Sequence, residues 1–61
     1  MDVRDEIMDY LEKWGMTLTW LSKKTEIEYN KLYAILKLRT NKLKQDKLDL
    51  INQTLETKFK L

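Results

Sequence analysis

No proline and a single glycine, Gly15, occur in this 61-residue chain, so little forces its backbone out of helical conformation. The length is the next constraint. A chain this short hides only about 60% of its unfolded surface on folding, which suits one domain, residues 1–61, and leaves no cleft of ordinary catalytic size. Cysteine and histidine are absent. Disulfides, thiol nucleophiles and imidazole or thiolate metal ligands are therefore excluded, and packing alone must hold the fold. With 43% hydrophobic and 36% charged residues, the expected class is an all-α mini-domain in a reducing compartment, with the cytoplasm as the default location. The opening stretch MDVRDEIMDY is acidic and has no apolar run, so neither a signal peptide nor a membrane span is expected.

Apolar spacing divides the chain. Asp2 is placed to cap a first helix, with Asp5 and Glu6 near its positive end. Val3, Ile7, Leu11 and Trp14 recur at helical spacing, which predicts a helix over about residues 3–14, Trp14 in its core stripe and Gly15 as its stop. Thr17 caps a second helix of about 18–24 that carries Leu18, Leu21 and Ser22. KTEIE interrupts the pattern, and Leu32, Ile35 and Leu36 resume it in a third helix of about 28–37. After the polar loop RTNK, Leu48, Ile51 and Leu55 predict a last helix of about 45–56. KFKL then alternates apolar and charged residues, as a short strand or a docked arm does.

Net charge is only +2, but it is unevenly spread. Residues 1–14 carry Asp2, Asp5, Glu6, Asp9 and Glu12 against Arg4 and Lys13, a local charge of −3. Residues 31–47 carry Lys31, Lys37, Arg39, Lys42, Lys44 and Lys47 against Asp46, a local charge of +5. One end repels polyanions and the middle attracts them, although such clustering is equally that of solvated helix faces.

The order Met16, Thr17, Leu21, Ser22, Ile27, Leu32, Ile35, then Leu48, Ile51 and Leu55 resembles the helix-turn-helix family of lambda-type Cro proteins and phage repressors. The resemblance covers roughly residues 16–56 and rests mostly on the spacing of apolar residues. Four positions depart from the pattern. Leu18 stands where the family often has a Gln that bonds the DNA backbone, and Glu26 where a Gly usually takes the left-handed turn. Glu28 replaces the usual Ser or Thr cap, and Leu36 a common Glu.

The resemblance implies four or five short helices with a central helix-turn-helix, lambda-repressor-like, whose third helix enters the major groove of double-stranded DNA. Tyr29, Asn30 and Tyr33 then become the base-reading residues. Asn30 pairs with the N6 and N7 edge of adenine, and the Tyr rings lie on thymine methyls. Lys31, Lys37, Arg39, Thr40, Asn41, Lys42 and Lys44 become the phosphate contacts. The function implied is a small transcriptional regulator of a phage or mobile element, a Cro-like repressor working as a homodimer on half-sites about 34 Å apart. Phe59 and Leu61 either close the core or pair across the two-fold axis, as in some Cro-like dimers.

Other readings compete for the same residues. Tyr29 and Tyr33 are also an i, i+4 pair of the kind that simply stabilises a helix, and surface lysines also serve solubility. Trp20, Tyr29 and Tyr33 are equally aromatic anchors for a protein partner, so an antirepressor or inhibitor of a host factor is the main rival. An architectural protein that binds DNA without sequence preference is a third. Paired carboxylates such as Asp5 and Asp9, or Asp46 and Asp49, share helix faces without a pocket to raise a pKa. No enzyme, cofactor, metal, membrane partner or small-molecule ligand is expected.

Overall fold

The first two helices begin at capping side chains, and the last two begin without one. The computed structural model describes residues 2–61. Helix α1, Val3–Lys13, starts at Asp2, whose carboxylate accepts the Arg4 backbone N–H at 2.8 Å. It stops because Gly15 adopts φ 68°, which lets the Gly15 and Met16 N–H groups return to the carbonyls of Glu12 and Leu11 at 3.2 and 2.8 Å. Helix α2, Leu18–Thr25, is capped by Thr17 Oγ1, which accepts from the Trp20 N–H at 3.1 Å. Helix α3 is α-helical over Tyr29–Tyr33 and then widens into a π-helical turn over Ala34–Leu38. Helix α4 covers Gln45–Leu55. The described residues hold no strand, and the fold is all-α.

The α3 region differs from the expected uniform helix of about 28–37. The N–H groups of Arg39 and Thr40 both reach the Ala34 carbonyl, the latter at 3.0 Å. These bonds close loops one residue wider than an α-helix and its usual C-cap allow. Leu32, Ile35 and Leu36 nevertheless all point inward, because the wider turn begins only after the first of them is placed.

The core draws on every element. Ile7 and Leu11 come from α1, and Leu18 and Leu21 from α2. Ile27 comes from the turn, and Leu32, Ile35 and Leu36 from α3 and its π turn. Leu43 from the following loop joins Leu48, Ile51 and Leu55 from α4. Helix α2 lies against α3 and α4, and α1 against the π turn. Burying each of these aliphatic side chains contributes about 1.5–3 kcal/mol, the main term opposing chain entropy in a domain without staples. Leu18 fills the core at the position where the resemblance leads one to expect a phosphate-binding Gln.

One expectation at the end of α1 needs correction. Trp14 is not in the core; it is 59% exposed, because the chain turns away at Gly15 and no element covers that last position. Its ring leans on Tyr10 at 6.1 Å, with Lys13 Nζ 5.7 Å from the indole. The final segment is a docked arm rather than a strand. Asn52 on α4 clamps it: Asn52 Nδ2 donates to the Phe59 carbonyl, while Asn52 Oδ1 accepts from the Phe59 N–H and the Thr57 hydroxyl, all at 2.9 Å. Phe59 meets Tyr10 edge-on at 6.0 Å, whereas Leu61 is 65% exposed. Among the described residues no helix is long and apolar enough to cross a membrane.

Candidate nucleic-acid interface

The link between α2 and α3 is three residues long, and hydroxyl groups from α2 fix it. Ser22 Oγ donates to the Ile27 carbonyl at 2.6 Å. Thr25 Oγ1 donates to the Leu21 carbonyl at 2.7 Å and accepts from the Ile27 N–H at 3.4 Å. Both backbone polar groups of a buried turn residue are thereby satisfied inside the chain. This bonding, with Ile27 buried beneath it, holds Glu26 in the left-handed region at φ 61°, a conformation that costs a residue with a Cβ roughly 1 kcal/mol. Neither hydroxyl's role was visible in the apolar spacing, although Ser and Thr beside a turn are a recognisable signal.

The locked turn sets the rotation of α3. With Leu32, Ile35 and Leu36 inward, Tyr29, Asn30 and Tyr33 stand on the exposed side, the two tyrosines 41% and 38% exposed. Their rings are 6.1 Å apart and tilted by 32°, so they lie together as one aromatic surface. At 100° per residue, Asn30 projects between that surface and Lys31, which lies on the opposite edge of the exposed face. Glu28 opens the helix without a side-chain cap bond, so its exposed carboxylate stands free at the tip.

On the Lys31 edge lies a recess of about 510 Å³. Lys31 from α3, Thr40, Asn41, Lys42 and Lys44 from the loop, and Asp46 and Lys47 from the start of α4 line it, with Ile35 at its base. Five of the seven residues expected to hold phosphate therefore converge on one place, and Lys47 joins them. That addition follows from where α4 starts, since Lys47 turns back toward the loop from its first turn. Lys37 is exposed outside the recess lining. Arg39 is drawn the other way, to an ion pair with Asp5 on α1. The left-handed conformation of Arg39 at φ 58°, which ends the π turn, accompanies that pairing.

At the start of α1, Asp2 receives both the backbone N–H and the guanidinium of Arg4, the latter at 2.6 and 3.0 Å. Those hydrogen bonds hold the Asp2 carboxyl well below the usual carboxylate range and push the Arg4 guanidinium up. Trp20 is half-buried and packs against the core, beside a shallow depression formed with Gly15, Met16 and Thr17. Of the carboxylate pairs, Asp49 accepts from Gln45 Nε2 at 2.8 Å and Asp5 serves Arg39. Compared with protein-family models, curated proteins and solved structures, the chain matches none of them.

Proposed function

We propose that this chain is a small sequence-specific DNA-binding transcriptional regulator that places the start of α3 in the major groove and acts as a homodimer. The observation that carries this reading is an exposed Tyr29–Asn30–Tyr33 face on α3, with a lysine-lined recess meeting the same helix at Lys31, on the other edge of its exposed face. Asn30 offers the donor and acceptor pair that matches an adenine edge, and the tyrosine surface offers apolar contact to thymine methyls. The recess supplies charge for the flanking phosphates, which sets affinity and register rather than sequence choice. The molecule measures 25 × 24 × 19 Å, so two copies side by side suit recognition helices about one DNA turn, roughly 34 Å, apart.

A second reading draws on Glu26 and Glu28, both exposed at the entry to α3. Carboxylates there are repelled by phosphate and suit a basic protein surface, with Tyr29 and Tyr33 as anchors. Selection of bound duplexes from a random library, at low and near-physiological salt, separates the two. The DNA reading predicts an inverted repeat at both salts. Recovery of nothing at either salt leaves the protein-partner reading. On the recovered site, Asn30→Ala is expected to abolish the preference at about one base pair, a loss of about 1–3 kcal/mol with the fold intact. Unchanged preference removes Asn30 from the base-reading role.

A further inference from the structure

The recess between α3 and α4 has a property that lysine clusters on a single helix lack: the lysines that line it come from three separate segments. Lys31 stands on α3, Lys42 and Lys44 on the loop, and Lys47 on α4. Among the described residues the ion pairs are Arg4 with Asp2 and Arg39 with Asp5, so none of these four lysines is neutralised within the chain. Asp46 is the one carboxylate in the lining, which leaves the recess with a charge of +3. Thr40 and Asn41 add neutral hydrogen-bond donors at the rim. Four unpaired cations held together repel one another, and a bound polyanion removes that repulsion.

We infer that this recess is a discrete seat for phosphate groups, which binds a short polyphosphate on its own and does not need the base-reading face of α3. Its chemistry is ammonium groups around a multiply charged phosphate, with Thr40 and Asn41 donating to remaining oxygens. Such a ligand comes either from consecutive phosphodiesters of a nucleic-acid strand or from a free oligophosphate. Only the first source rests on the function proposed above. Asp46 sets the limit on affinity, because its carboxylate faces the same concavity.

The test is an amide-resolved NMR titration of the whole chain with inorganic tripolyphosphate, followed by addition of a random-sequence duplex. Saturable shifts confined to Lys31, the 40–44 loop and the start of α4 are expected. Lys42→Ala combined with Lys47→Ala is expected to weaken tripolyphosphate about tenfold, and Asp46→Asn to tighten it about threefold. The gain from Asp46→Asn cannot arise from unfolding. Displacement of tripolyphosphate by the duplex identifies the nucleic-acid strand as the source. Binding without displacement supports the seat, assigns it to free oligophosphate and counts against the DNA reading. Shifts spread evenly over lysines outside the recess such as Lys13, Lys23 and Lys24 overturn the inference. A tripolyphosphate titration that leaves the recess unshifted overturns it too, and a duplex that then perturbs Tyr29, Asn30 and Tyr33 leaves the DNA reading in place.

Discussion

On α1, Asp2 and Asp5 are each bonded to an arginine, Arg4 and Arg39, and the second pair ties the first helix to the end of the π turn. The recess beside α3 is lined by Lys31, Lys42, Lys44 and Lys47, which have no ion-pair partner among the described residues. Two of the acidic region's carboxylates are thus satisfied internally, while Glu6, Asp9 and Glu12 have no ion pair among the described residues. The basic region keeps its charge available. Surface pairs of the first kind contribute at most about 1 kcal/mol each, so their value lies more in orienting segments than in stability. Uncompensated cations of the second kind cost stability through repulsion, which a bound polyanion would relieve.

Charge reversal in the recess breaks the comparison most sharply. Lys42→Glu with Lys47→Glu is expected to lower random-duplex affinity at low salt about a hundredfold, measured by fluorescence anisotropy. The urea midpoint should move by no more than about 0.5 kcal/mol equivalent, because both positions are on the surface. A comparable loss of stability would make the recess a structural element.

The opposite end is broken through Asn52. Three bonds from one side chain hold the 57–61 arm over Tyr10, so Asn52→Ala should cost about 1–3 kcal/mol in chemical denaturation. Duplex affinity of the folded variant should change little, although Lys60 and Leu61 line a depression that reaches Lys42. A parallel loss of affinity would join the two regions that the account separates.

The sequence made much of this visible, and what it hid has physical reasons. Asp2, Thr17 and Gly15 were readable as caps because capping depends on single residues at fixed offsets, and all three act as such. Ile7, Leu11, Leu21, Leu32, Ile35, Leu48, Ile51 and Leu55 were readable as core from their period. Trp14 misled because periodicity assigns a face but not whether another element reaches the helix end. The π turn was invisible because Leu32, Ile35 and Leu36 fit either winding at that distance. The Arg39 pairing with Asp5, 34 positions away, and the Asn52 clamp on backbone groups leave no local pattern at all. For the site, residue types suggested the exposed face and most of the basic lining, but only the position of α4 brings in Lys47 and Asp46.

Smaller effects sharpen the account. Glu26→Gly removes a Cβ from a left-handed position and should stabilise the fold by about 1 kcal/mol without altering either charge set. A thermal scan showing destabilisation would mean that the Glu26 side chain makes a contact worth more than its backbone strain. Asp2 gives the smallest signal. Its folded-state pKa lies below the ordinary 3.8, so its contribution is fully present above that pH and is lost as the pH falls below it. The stability difference between the wild-type chain and Asp2→Asn should therefore be constant at neutral pH and narrow only below pH 3.8. Narrowing at higher pH would show that Arg4 does not hold the carboxylate in solution.

The central claim is that base reading by α3 and phosphate binding by the recess are separate contributions. Binding isotherms for a selected duplex and a scrambled one, measured across a salt series, test it directly. The account predicts that both lines fall with salt at similar slopes, set by the same phosphates, while a fixed gap in affinity between the duplexes persists and collapses in Asn30→Ala. Coincident lines for the two duplexes at every salt concentration would contradict it.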